Sequence, residues 1–248
     1  EVGSNVTDLA IGDHVVSPAT AYCGHCYHCK TGHVNRCTCE DKRILGVSLA
    51  NGGFAKYVVV PEFILHKVPP SLSLEEAALA EPTACVVHCV AEQTPISPGD
   101  IVVVQGPGTM GLIALQIAKA MGAAQVIVTG VTSDNWRFEI AKQLGADMTL
   151  DVQAENDPVG TVFSKTDGIG ADVVIEASGA GPARAQALEF VKVTGHVSLL
   201  GTQGGDTTLY LDHVVEKELS MIGSWGTIPS SWVLTLRMMS SGQINVKP

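Results

Sequence analysis

Five of the seven cysteines in this chain fall between Cys23 and Cys39. Four of them, Cys23, Cys26, Cys29 and Cys37, stand in the order C-x2-C-x2-C-x7-C. Thiolates are soft ligands, and short gaps let a single loop wrap a tetrahedral zinc ion. A closed four-cysteine set of this kind is structural rather than catalytic. An iron–sulfur cluster is the rival chemistry, but its compact cysteine runs use a shorter fourth gap and follow it with proline. His25, His28 and His33 lie in the same loop as substitute ligands, although solvent-facing imidazoles are the simpler reading. Cys39 reads as a spare thiol. Cys85 and Cys89, four apart on an apolar helix, read as core packing.

A second pattern, Gly106-Pro107-Gly108-Thr109-Met110-Gly111, follows a continuous apolar run, Ile101–Gln105, and opens a helix. In that setting the first glycine makes the tight turn. The second lets backbone approach a pyrophosphate, and the third packs helix on strand. Free N–H groups around Thr109 and Met110 and the positive end of the helix dipole face the phosphates. The pattern therefore predicts a nicotinamide dinucleotide site. The next strand ends Val128-Thr129-Gly130, without the acidic residue that holds the ribose 2′-hydroxyl of NAD. Thr132 and Ser133 offer hydroxyls, and Arg137 a guanidinium, to the 2′-phosphate of NADP. Asp134 is the alternative, a carboxylate placed to take the ribose role from further along the loop, and Arg137 also reads as an exposed helix residue. NAD and NADP both fit, and the balance tips slightly to NADP.

These groups need elements to hold them. Residues 1 to about 80 read as a loop-rich β region, with short runs at His14–Val16, Lys56–Val60 and Phe63–Leu65 separated by Gly and Pro. Ser73 and Glu76 have the form of a capping box opening a short helix through Glu81, and a further helix is expected from Thr83 to about Glu92. From Asp100 the texture changes. Strands are expected at Ile101–Gln105, Gln125–Thr129, Met148–Asp151, Asp172–Glu176, His196–Leu200 and Leu219–Gly223. Helices are expected at Thr109–Met121, Asn135–Leu144 and Gly181–Val193. Strands apolar on both faces, alternating with helices, imply an α/β fold with a doubly wound parallel sheet of the Rossmann type.

The bulk properties narrow the function classes. The chain has 248 residues, 46% hydrophobic, with a net charge of −10 and no basic cluster, so nucleic acid and anionic membrane are poor partners. No apolar run is long enough to span a membrane. The odd cysteine count and the lack of a signal peptide point to the cytoplasm rather than to a secreted disulfide framework. The first residue is Glu1 rather than Met, which suggests a start further upstream.

The cysteine loop, Gly52-Gly53-Phe54-Ala55-Lys56-Tyr57, Glu81-Pro82, the glycine motif, Gly170–Gly179 and Gly195–Gly201 together resemble the zinc-dependent medium-chain dehydrogenase/reductase family over essentially the whole chain. Glu81-Pro82 resembles its sorbitol/polyol and threonine dehydrogenase branch. The resemblance implies a partial GroES-like catalytic domain at 1–80, carrying the structural zinc loop 23–37 and joined by 225–248. The Rossmann domain would occupy 81–224. It implies hydride transfer between a secondary alcohol or polyol and a nicotinamide cofactor, with Glu81 beside a catalytic zinc. Ala177, Ser178, Gly201, Thr202 and the backbone at Gly223-Ser224 would line the nicotinamide end. A threonine-type amino-alcohol dehydrogenase, or a non-catalytic dinucleotide-binding relative, is the alternative. The family's catalytic-zinc cysteine and Gly-His-Glu motif have no match here, so this chain is expected to be an incomplete portion that does not assemble that metal site alone. Pairing through the edge strand Leu219–Gly223 into a homodimer or homotetramer is the expected assembly.

Overall fold

The structure, a computed structural model, describes residues 1–40 and 42–247. The chain forms two compact units, Glu1–Cys85 with Gly226–Ser241, and Val86–Trp225 with Gly242–Pro248.

The first unit is built from short elements. Strand β1 (Val15–Val16) opens it, followed by β2 (Thr20–Ala21), the one-turn helix α1 (Tyr27–Lys30), β3 (Arg43–Leu45), β4 (Leu49–Ala50) and β5 (His66–Lys67). β1 pairs antiparallel with β5, while β3 lies antiparallel to β2 and parallel to β4. Helix α2 (Leu74–Ala77) starts with the expected capping box. The Ser73 hydroxyl accepts from Glu76 N, and the Glu76 carboxylate accepts from Ser73 N at 2.8 Å. This helix ends at Ala77, before Glu81, and α3 (Ala80–Val87) begins a new one that continues as a wider π-type turn over His88–Gln93.

Two expected strands are absent. Lys56–Val60 forms no strand, and Tyr57 and Val59 are fully exposed. β-branched residues favour extended backbone, but a strand also needs a neighbour to take its N–H and C=O groups, and none lies beside this run among the described residues. Phe63–Leu65 is replaced by a 3₁₀ turn, Glu62–Ile64, that buries Ile64. The Glu62 carboxylate accepts from the backbone N–H groups of Thr7 and Asp8, which draws the chain into a turn there.

The second unit holds β6 (Ile101–Gln105), helix α4 (Thr109–Ala120), β7 (Gln125–Gly130), α5 (Asn135–Gln143), β8 (Met148–Asp151), α6 (Pro158–Ser164), β9 (Ala171–Glu176), α7 (Gly181–Phe190), β10 (Val191–Leu199), α8 (Asp212–Glu216) and β11 (Ser220–Gly223). Helix α9 (Pro229–Ser240) then returns to the first unit, where Trp232 is buried and stacks on His66 at 5.1 Å. The six strands form one parallel sheet in the order β8-β7-β6-β9-β10-β11. The chain runs outward from β6 to one edge, returns to its other side at β9 and runs out again. The direction therefore reverses between β6 and β9, and ligands of such sheets bind at the carboxyl ends of the strands flanking that switch point. Val103, Ile127, Val174, Phe190 and Val197 form the core beneath it. Sequence periodicity left α6, α8 and α9 unassigned. Asp157-Pro158 and Ile228-Pro229 carried the available signal, because proline suits the first helical position, where no N–H bond is lost.

Candidate functional site

The four expected zinc ligands come together. Cys23 and Cys26 precede α1, Cys29 lies within it, and Cys37 closes the 3₁₀ turn Val34–Arg36. Gly24 and Gly32 adopt left-handed φ of +76° and +87°, which allows the tight reversals on either side of α1. The four sulfurs lie within 4.8 Å of one another, with Cys23–Cys29 and Cys26–Cys37 both at 3.9 Å. Sulfurs bound to tetrahedral zinc at about 2.3 Å stand about 3.8 Å apart. The spacing fits that ion. Backbone N–H groups of Cys29 and Thr38 draw the Cys26 thiol down to about 5, whereas burial pushes Cys29 up to about 12. A central divalent cation supplies the charge that favours thiolate at all four positions.

In the second unit the three motif glycines have different geometries. Gly106 has φ +92°, and a methyl group there would lie 2.7 Å from Ser178 Cβ. At Gly111 a methyl group would lie 1.9 Å from the Gly106 carbonyl oxygen, so α4 can sit this close to the turn only without a side chain. At Gly108, the N-cap of α4, φ is −76° and a methyl group would meet nothing within 4 Å. Two glycines are thus required by the protein's own packing, while the third keeps open space at a helix N-terminus. Thr109 is exposed and Met110 half-buried in the first turn beside that space.

The expected nicotinamide-end residues gather next to this loop. Ala177 N donates to Gln105 O at 3.0 Å, joining the ends of β9 and β6. A side chain on Gly201 would collide with Gly179, and one on Gly179 with the Thr202 carbonyl, so the turns after β9 and β10 lie in close contact. Sequence reasoning missed what holds them. Glu176, fully buried, accepts at Oε1 from Ser178 N (2.8 Å), Ser178 Oγ (2.5 Å) and Gly179 N (2.8 Å). Its backbone carbonyl takes Leu200 N and Gly201 N. Arg184 lies 3.8 Å from Glu176 Oε2 and donates to Gly201 O at 2.9 Å. The available signal was a carboxylate at the end of an otherwise apolar strand. Glu176→Gln keeps an acceptor but removes the charge facing Arg184, and a loss of about 1–3 kcal/mol in urea unfolding is expected, with weaker dinucleotide binding. Glu176→Ala should cost more, about 3–5 kcal/mol, because Arg184 is left without its counter-charge. Equal stability of the two variants would refute this assignment.

The loop after β7 arranges the nucleotide-selecting candidates differently from the sequence expectation. Thr132 Oγ1 donates to Asp151 at 2.8 Å, and Arg137 pairs with Asp134 at 2.7 Å. Asp134 also accepts from Val131 N at 3.1 Å, which brings its carboxylate back to the end of β7. Ser133 is exposed. Glu81 lies in the first unit, in the first turn of α3. Cys85 Sγ stands 3.8 Å from its carboxylate, and burial raises the Glu81 pKa above the usual carboxylate value. Cys89 is buried, as expected for a packing residue.

Residues 1–70 match the family model described as alcohol dehydrogenase GroES-like domain, and residues 109–241 match that described as zinc-binding dehydrogenase. The chain belongs to the zinc-dependent medium-chain alcohol dehydrogenase family. It is 38% identical to sorbitol dehydrogenase of Halalkalibacterium halodurans, across 100% of this chain and 71% of that protein. It is 37% identical to L-threonine 3-dehydrogenase of Pyrococcus horikoshii, across 100% and 70%. A crystal structure from Sinorhizobium meliloti 1021, described as a zinc-binding dehydrogenase bound to NADP, superposes with a TM-score of 0.88 at 29% identity, over 99% of this chain and 71% of that one. For a zinc-dependent alcohol dehydrogenase, the residues around Glu81 are informative. Groups of three or more candidate ligands occur among the described residues only in the cysteine loop. Glu81 and Cys85 stand together without a third candidate ligand among the described residues, and no chemical step is assigned to a metal there.

Proposed function

We propose that this chain serves hydride transfer between a secondary alcohol or polyol and a nicotinamide dinucleotide. The open direction at Gly108, between two glycines closed off by their neighbours, carries the reading. A pyrophosphate approaching the backbone there makes use of the missing side chain. The bound nicotinamide would supply the hydride acceptor. The chain's own residues would hold the pyrophosphate at the start of α4 and shape the ring end with Ala177, Ser178, Gly201 and Thr202, fixed from beneath by Glu176. We assign the dinucleotide function to 81–224 and the catalytic, GroES-like function to 1–80 with 225–248. None of the helices described is long and apolar enough to cross a membrane, and we place the protein in the cytoplasm. β11, whose Met221 and Ile222 are half-buried, forms one edge of the sheet and is the strand we assign to pairing in a homodimer or homotetramer. Calorimetric titration with NAD and NADP tests the reading, followed by assay of polyols for nicotinamide reduction by the protein. Failure of both nucleotides to bind would overturn it. Similarity to an L-threonine 3-dehydrogenase favours a second reading, oxidation of a β-hydroxy amino acid, which the same assay with L-threonine separates.

For the nucleotide, the contacts support NAD. The slight sequence preference for NADP rests on Thr132, Ser133 and Arg137, yet two of these direct donors to Asp151 and Asp134. Asp134 thus takes the guanidinium beside the end of β7 while Asp151, at the end of β8, takes the Thr132 hydroxyl, and carboxylate oxygens retain capacity to accept from ribose hydroxyls. NAD is expected to bind about tenfold or more tightly than NADP, the worth of one charge-assisted hydrogen bond of about 1.5–3 kcal/mol. Asp134→Asn should erase most of that gap. Tighter binding of NADP, abolished by Arg137→Ala, would restore the original expectation.

A further inference from the structure

A second group of soft ligands shares one member with the four-cysteine set. Cys23 Sγ, a ring nitrogen of His25 and Cys39 Sγ lie within 4.8 Å of one another, with Cys39 Sγ 3.8 Å from His25 Nε2. A thiolate and an imidazole on one tetrahedral zinc, at about 2.3 and 2.0–2.1 Å, stand about 3.6 Å apart. The imidazole is also oriented. His25 Nδ1 lies 3.0 Å from the Cys23 carbonyl oxygen. A carbonyl only accepts, so Nδ1 carries the proton and Nε2 turns its lone pair toward Cys39. A backbone carbonyl holding the far nitrogen is the usual device that fixes a metal-binding histidine in its ligating tautomer.

We propose that Cys23, His25 and Cys39 form a second metal site for zinc or a similarly soft divalent ion, with the Cys23 thiolate bridging the two ions. A thiolate sulfur keeps lone pairs after its first metal bond, so Cys23 can serve both centres. Three protein ligands leave a fourth position, which distinguishes this open site from the closed four-cysteine one. Room exists for the missing ligand. Cys23 and His25, though not Cys39, line a cavity of about 410 Å³ together with Lys42 and Arg43, whose charges suit water or a small anion as the added ligand. His25 is exposed, so ions reach the site from solvent. The spare thiol of the sequence reading thereby acquires a ligand role.

The test counts metal on the whole chain. Protein loaded with excess zinc under reducing conditions and desalted is analysed by native mass spectrometry. The wild type should retain two zinc ions, and Cys39→Ser and His25→Gln one each. A single ion on the wild type, or two on either variant, would overturn the proposal. Cobalt(II) titration of the wild type decides the matter if a variant fails to fold. The second equivalent should add its own thiolate-to-cobalt absorption, and a second equivalent that adds none would equally overturn the assignment.

Discussion

Removal of the structural metal, by chelator under reducing conditions or by Cys29→Ser, is expected to melt the loop from Cys23 to Cys37 while the parallel sheet of the second unit stays folded. The loop has little else to hold it. Helix α1 is a single turn that buries no residue, and within the loop only Val34 and Cys37 are buried. Ordering each backbone residue costs about 1–2 kcal/mol, and such sparse burial cannot offset that over the whole loop. Binding of structural zinc supplies about 10–16 kcal/mol of apparent free energy in comparable small sites at neutral pH. The sheet relies instead on apolar burial, with Val103, Ile127 and Val174 fully enclosed. Amide hydrogen exchange checks the outcome. Protection at Lys30, Thr31 and His33, whose N–H groups close the turns of the loop, should vanish, while that of β6 and β9 persists. Unchanged protection in the loop would show that protein contacts, rather than a metal, hold the four thiols.

The glycine motif allows an equally sharp separation. Gly111→Ala places a methyl group 1.9 Å from the Gly106 carbonyl oxygen, so α4 must lift away from the turn. Overpacking of this kind costs about 1–3 kcal/mol and occasionally more, and the upper end is expected because the obstructing atom belongs to the backbone. Dinucleotide binding should fail with it. Gly108→Ala meets no protein atom and has a φ that alanine adopts readily. Alanine is a poorer N-cap than glycine, but it also lowers the entropy of the unfolded chain by about 0.4–1 kcal/mol, and the two effects offset. Stability within about 1 kcal/mol of the wild type is therefore expected. NAD affinity should still fall about tenfold or more, because the methyl group fills the space left for phosphate. Wild-type affinity in Gly108→Ala would remove the main support for a dinucleotide site, and equal urea midpoints for the two variants would show that the glycines do not differ as their surroundings imply.

Much of the site could be read along the chain. The gaps between Cys23, Cys26, Cys29 and Cys37 are covalent distances, and they predict convergence wherever the loop is free to wrap. The strand, glycine turn and helix around Gly106 are contiguous, so their order alone indicates a phosphate-binding turn. The Ser73–Glu76 capping box is likewise local. Other features depended on partners distant in sequence. Lys56–Val60 has the composition of a strand and finds no strand partner among the described residues, and Arg137 has the composition of a phosphate ligand and finds Asp134. Glu176 ends an apolar run, where a carboxylate has no evident purpose until the turns after β9 and β10 close around it.

Periodicity, short spacing and punctuation by Gly and Pro are carried by neighbouring residues, and they were sufficient for the doubly wound sheet, the four-thiol cluster and the glycine turn. Which donors are already engaged, which glycine faces open space, and which thiol lies against which imidazole are set by contacts across turns and between strands. Cys39 illustrates the difference. Fourteen positions from His25 along the chain, it reads as surplus, and only folding of the loop brings its sulfur to the ring nitrogen that the Cys23 carbonyl has turned toward it.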